Sequence, residues 1–164
     1  MNEEKKLPQV ISKIRVSDFG EVYTSEKEVN DMLNLVQDQT DRIDSRFLEP
    51  ACGNGNFLSE ILKRKLKLLN KLYKKNQYSF DKFSVLLTGS LYGIDIIKDN
   101  VIVARKRLFK IFKDNYKIIF NNENLELFKN IQFILEINIV CADALTFLST
   151  NKKKPLILSE WSLV

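Results

Sequence analysis

Apolar residues recur at helical spacing in some segments of this chain and stand in short runs in others. From Ser25 to about Gln39, "SEKEVNDMLNLVQDQ" places Val29, Met32, Leu33 and Val36 on one face of a helix. Ser25, with Glu28 three residues later, forms a capping-box pattern at its start. From about Asn56 to Lys75, Phe57, Leu58, Ile61, Leu62, Leu66, Leu69 and Leu72 recur at three- and four-residue steps and predict a long helix. Its other face reads as cationic, with Lys63, Arg64, Lys65, Lys67, Lys71, Lys74 and Lys75. Two more helices are predicted, over "IIKDNVIVARKRLFKIFKDN" and from Glu123 to Leu135. Between these segments stand short apolar runs bounded by polar residues: "SRFLEP", stopped by Pro50; "LYGIDI", Leu91 to Ile96; "INIVCADAL", Ile137 to Cys141 and ending at Asp143; and "PLILSEW", Pro155 to about Ser159. Such runs suit strands buried on both faces. Strands alternating with helices predict an α/β fold with a parallel sheet of about four strands. Residues 1–18 are polar and are expected to be loosely ordered; residues 19–164 read as one domain.

Composition narrows the chemistry more than the fold. Apolar residues make up 45% and charged residues 29% of 164 residues, the balance of a globular protein with one core. No run approaches the roughly 18 apolar residues of a membrane span, and the first residues have no apolar signal region, so a cytoplasmic location is expected. Histidine is absent, which excludes Ser-His and Cys-His nucleophilic catalysis and most zinc chemistry. Cys52 and Cys141 match no metal-ligand spacing and are expected to be reduced; no metal site is predicted. The net charge of +5 is compatible with a nucleic-acid partner and equally with solvated, lysine-rich helix faces.

Ligands of open parallel sheets lie beyond the carboxyl ends of the strands. Three successive strands here deliver an acid to that edge: Glu49, Asp95 and Asp143. The first opens "EPACGNG", which concentrates Pro50, Gly53 and Gly55 in a chain of only five glycines and three prolines. Glycines there permit backbone angles closed to other residues and leave room for a ligand. The following helix turns unpaired N–H groups toward the same space. The dinucleotide fingerprint needs a third glycine where Leu58 stands, and no phosphate-loop Gly-Lys-Ser/Thr occurs. Glu49 can accept from an ammonium group, Asp95 from a ribose diol and Asp143 from an exocyclic amine. S-adenosylmethionine carries all three groups. Each residue also has a plainer reading: Asp95 and Asp143 as helix caps, the glycines as a turn, Cys52 as packing and the lysines as solvated surface.

"FLEPACGNGNFL" resembles the cofactor motif of DNA methyltransferases that modify the exocyclic amine of adenine. "GEVYTSEKEVNDMLNLV" is similar to the segment that precedes it in that family. The resemblance implies that Tyr23 and Thr24 line the methionine end of S-adenosylmethionine, with Ser25 where proline is usual. It implies that Glu49, Pro50, Ala51, Cys52, Gly53, Asn54 and Gly55 form the cofactor turn. "YGIDI" matches the second motif, with Asp95 on the ribose and Ile96 against adenine. "CADAL" matches the third, with Asp143 near the adenine amine and Ala144 beside it. This order of motifs is that of adenine methylases and modification subunits of restriction–modification systems. One spacing departs from a compact unit: Asp95 lies 40 residues after Gly55, against about 20.

What the family uses for chemistry is not visible. An Asn/Asp-Pro-Pro-Tyr/Phe turn should end the fourth strand and hold a flipped adenine. Here "PLIL" runs into Ser159-Glu160-Trp161, so Glu160 and Trp161 are the only candidates at that place. The expected fold is therefore an incomplete Rossmann-like methyltransferase domain, lacking later strands and a target-recognition domain. The expected partners are DNA and a protein partner or second copy covering the C-terminal edge, where Trp161, Leu163 and Val164 would otherwise stand unburied. The alternatives are a non-catalytic cofactor-binding subunit and a degenerate fragment.

Overall fold

The computed structural model describes residues 24–151 and 154–162. Ser25 caps α1 (Glu26–Asn34) as its spacing predicts: its hydroxyl accepts from Glu28 N–H at 3.3 Å, while the Glu28 carboxylate accepts from Ser25 N–H at 3.0 Å. The helix does not reach Gln39 in one piece. Val36 leaves the helical region at φ −121°, and a separate turn, α2 (Gln37–Thr40), follows. The polar segment over residues 1–18 and Tyr23 lie outside the described residues.

Strand β1 (Phe47–Glu49) leads through the glycine turn into α3 (Asn56–Tyr73). The stretch from Gln77, to which the sequence assigns no element, is α4 (Gln77–Gly89), capped by Asn76 accepting from Ser79 N–H at 3.0 Å. Then come β2 (Leu91–Asp95), α5 (Lys98–Phe120), α6 (Leu125–Asn138) and β3 (Ile139–Asp143). The three strands are parallel, in the order β1-β2-β3, and each crossover uses a pair of helices. That extra helix accounts for the wide spacing between Gly55 and Asp95. The arrangement is α/β and compatible with a Rossmann-like fold.

Helices α3, α4, α5 and α6 pack on one another over the sheet face that carries Phe47, Leu91 and Ile139. Leu58, Leu62, Leu69 and Leu108 are fully buried there. Away from the sheet the four helices share an aromatic core. Phe80 meets Tyr116 and Phe120 edge-on, Tyr116 meets Phe128 edge-on, and Tyr73 stacks on Phe83 at 4.6 Å. Such contacts add to the area these rings bury.

Lys65 departs from the cationic face read in the sequence. It is fully buried, its ammonium donating to the Ile43 carbonyl at 3.0 Å, the Ser45 carbonyl and the Ser90 hydroxyl at 2.7 Å. Three acceptors match the three N–H groups of a lysine. Arg64 is also engaged, with Asn30 and Asn34 of α1.

The fourth strand differs most from expectation. β4 is the two-residue Leu148–Ser149, antiparallel to β3, and Pro155 makes only an isolated bridge to Leu148. The sheet therefore has three parallel strands and a short antiparallel one. A parallel return needs a dozen or more connecting residues, usually with a helix. Here Asp143 folds the chain straight back: its carbonyl accepts from Phe147 N–H at 2.8 Å, and Phe147 has φ 54°. No helix of the described residues is long and apolar enough to cross a membrane.

Candidate functional site

The three parallel strands end on Glu49, Asp95 and Asp143. Their register sets the acids in a staircase. Glu49 is opposite Gly93, two residues below Asp95; Asp95 is opposite Cys141, two residues below Asp143. Two residues of strand advance about 7 Å and return to the same face. All three acids thus share the parity of the helix-bearing face.

The glycine turn is fastened at two points to β2, the strand beside β1. Cys52 N–H donates to the Ile94 carbonyl at 2.9 Å, and Gly53 N–H donates to Asp95 Oδ2 at 2.8 Å. Gly53 at φ 52° and Gly55 at φ 84° occupy the left-handed region, so both positions favour glycine. A Cβ on Gly55 would also lie 3.2 Å from that of Ala104, so the turn sits directly on α5. Pro50 and Ala51 are exposed, while Cys52 is buried. Burial, then the Asp95 and Glu49 carboxylates, push the Cys52 thiol up to about 12, so it packs as an inert group.

The acids differ in surroundings. Glu49 is half-buried, and burial raises its carboxyl, partly offset by a bond from Ala51 N–H. Asp95 is 9% exposed, and its Oδ1 accepts from Ile97 N–H at 2.8 Å and from the Asn100 amide at 3.3 Å. With the Gly53 bond, three of roughly four lone-pair positions are taken. Ile96 beside it is 50% exposed. Asp143 is solvent-facing. Bonds from Leu145 N–H at 2.8 Å and the Thr146 hydroxyl at 2.9 Å hold its carboxyl below the usual range. Ala144 is half-buried in the same turn.

Thr24 joins this assembly through a residue that sequence reasoning missed. The Asn56 side-chain amide donates to the Thr24 carbonyl at 3.2 Å, and Asn56 Oδ1 accepts from Arg107. Arg107 Nη1 also reaches the Asn54 carbonyl at 3.4 Å and Asn54 Oδ1 at 3.2 Å. No spacing in the sequence pairs Arg107 with a turn some fifty residues earlier; only the packing of Gly55 on Ala104 brings them together.

Glu160 and Trp161 are not brought to this edge. Leu156 N–H donates to the Phe147 carbonyl near the carboxyl ends of the strands, and Tyr92 OH donates to the Ser159 carbonyl. The chain then reaches the amino ends. Glu160 pairs with Arg46, just before β1, and Trp161 Nε1 donates to Asn138 Oδ1 at 2.9 Å. A Cβ on Gly89 would lie 2.8 Å from Trp161. Trp161 is therefore a packed residue at the far end of the strands, not an exposed one; Leu163 and Val164 lie outside the described residues. Tryptophan at this position finds both an apolar slot and an acceptor for its N–H, which outweighs any pull toward the opposite edge.

A cavity of about 370 Å³ opens along the edge of β1 that no strand of the described residues pairs with, and Met32, Val36, Leu48, Phe57 and Glu49 are among its walls. Its lining is mostly apolar. It lies to the side of the staircase of acids, and Glu49 is the single acid common to both.

Among curated proteins, the chain is 26% identical over 154 residues to a protein of Methanocaldococcus jannaschii whose name provisionally describes a type II restriction enzyme and methyltransferase. The match covers 91% of this chain and 13% of that protein, so the chain spans a small part of its relative's length. No family model matches the chain. No solved structure matches it.

Proposed function

We propose that this chain is the S-adenosylmethionine-binding part of a DNA adenine-N6 methyltransferase of a restriction–modification system. One observation carries the reading: three parallel strands end in acids of one face, and the middle acid is bonded to a Gly-x-Gly turn. The likeness to a protein named as a methyltransferase supports it. Residues 19–164 would be the N-terminal part of the domain, without its later strands and without a target-recognition domain.

The residues fit the proposed cofactor, with one narrowing. Glu49 suits an ammonium group, because a half-buried carboxylate regains in an ion pair what burial costs it. Asp95 has about one lone-pair position left, enough for a single ribose hydroxyl where the sequence suggested a diol. Half-exposed Ile96 offers an apolar wall for an adenine ring, with Asp143 and Ala144 at its amine. Tyr23, Thr24, Pro50, Ala51, Cys52, Gly53, Asn54 and Gly55 would enclose the remainder. When bound, S-adenosylmethionine supplies an activated methyl group. This chain's residues hold and orient it, so that catalysis is largely positioning of a flipped adenine.

The catalytic turn must then come from another protein segment. Glu160 and Trp161 sit at the opposite ends of the strands, which favours the reading that the chain contributes a cofactor pocket rather than complete chemistry. The edge of β1, unpaired among the described residues, and its apolar cavity suit a further strand better than a charged nucleoside. DNA would be engaged by the completed assembly.

Calorimetric titration of the purified chain with S-adenosylmethionine tests the pocket. Binding that weakens on Asp143→Asn is expected. The absence of heat at millimolar ligand would overturn the proposal, and methyl transfer to DNA by the chain alone would overturn its incompleteness.

A further inference from the structure

Arg107 belongs to no motif of the sequence, yet it joins three separate pieces of the proposed cofactor pocket. From the third turn of α5 its Nη1 reaches the backbone carbonyl and side-chain oxygen of Asn54, between the two left-handed glycines, and the side-chain oxygen of Asn56, the first residue of α3. The Asn56 amide is then used at both ends, accepting from Arg107 and donating to the Thr24 carbonyl. Gly55 is the N-cap of α3 and provides no side-chain cap, so the local sequence does little to hold this corner. The guanidinium does it from outside, through one nitrogen shared among three oxygens.

We infer that Arg107 is a positioning residue for the cofactor turn. It sets the conformation of Asn54 to Asn56 and, through Asn56, fastens the segment beginning at Thr24 over the same site. The inference rests on the reading of this turn as a cofactor pocket. Arg107 itself is not assigned contact with the ligand.

Arg105 supplies a matched control. It lies two residues away on α5, is equally half-buried, and donates to backbone carbonyls at Ile139 and Glu136, away from the turn. The experiment compares Arg107→Met, Arg107→Lys and Arg105→Met by calorimetric titration with S-adenosylmethionine. It also follows amide hydrogen exchange of residues 53–56 without ligand. Arg107→Met should weaken binding by about tenfold or more and speed exchange at the turn by a similar factor, as expected when a local clamp is released. Arg107→Lys should recover part of both. Arg105→Met should lower the melting temperature while leaving affinity and turn exchange within about threefold of wild type. Equal effects of the two methionine variants, or wild-type affinity and exchange in Arg107→Met, would overturn the inference. Should the wild-type chain bind no S-adenosylmethionine, the functional reading fails, and the exchange comparison still decides whether Arg107 orders the turn.

Discussion

Replacing Asp95 by asparagine changes one atom and should separate a carboxylate that holds the fold from one that serves only an exposed turn. Asp95 Oδ2 accepts from Gly53 N–H at 2.8 Å and Oδ1 from Ile97 N–H at 2.8 Å. An asparagine has one oxygen, so its NH₂ must face one of these two donors. The orphaned backbone N–H costs about 1–3 kcal/mol, and the surviving bonds lose about 1 kcal/mol of charge assistance. The expected loss is therefore about 2–4 kcal/mol, or roughly 5–15 °C in melting temperature for a domain of this size. Asp143→Asn is the comparison. Its oxygens serve only an exposed turn, where an amide can accept from Leu145 N–H and donate to the Thr146 hydroxyl, so its melting temperature should stay close to wild type. Urea unfolding followed by circular dichroism measures both. A loss below about 1 kcal/mol for Asp95→Asn, at an unchanged denaturant slope, would show that the bond between the glycine turn and β2 does not hold in solution.

Three further outcomes follow from the same geometry. Gly55→Ala should cost about 1–3 kcal/mol, because alanine at φ 84° is strained and its Cβ would lie 3.2 Å from that of Ala104; thermal denaturation of the variant checks this. Glu49 has its carboxyl raised by burial, so the folded protein holds that proton to higher pH than the unfolded chain does. Its contribution favours folding at low pH and is lost as pH rises through the raised value, so Glu49→Gln should gain melting temperature over wild type at pH 8 and lose that gain near pH 4. Cys52, with its thiol pushed up to about 12, should resist an aromatic disulfide reagent at pH 8 in the native protein, while half-buried Cys141 reacts; release of two equivalents of thiolate without denaturant would contradict the packing of the turn.

Period and punctuation made much of this fold legible. Ser25 and Glu28 marked a helix start that the structure reproduces, and the three apolar runs before Asp143 are the three parallel strands. Their terminal acids could be placed on one edge from a general rule about parallel sheets. The long helix was legible in its apolar stripe but not in its charges. Lys65 follows Leu58 and Leu62 by seven and three residues and precedes Leu69 by four, which puts it within the buried stripe. Counting cations along the helix hid a position that its periodicity marks. Arg107 could not be found in this way, because its partners are defined by a close approach of two helices. The fourth strand failed for a related reason. "PLIL" has the composition of a buried strand, but composition does not choose between pairing beside a parallel neighbour and folding back as a hairpin. That choice belongs to the connections: the Asp143 turn first folds Leu148–Ser149 back on β3, and Pro155 then makes only a bridge to Leu148. The consequence reaches the proposed function: with the hairpin formed on β3, no strand of the described residues pairs with the outer edge of β1, and in that proposal the residues that complete the chemistry would arrive on that side.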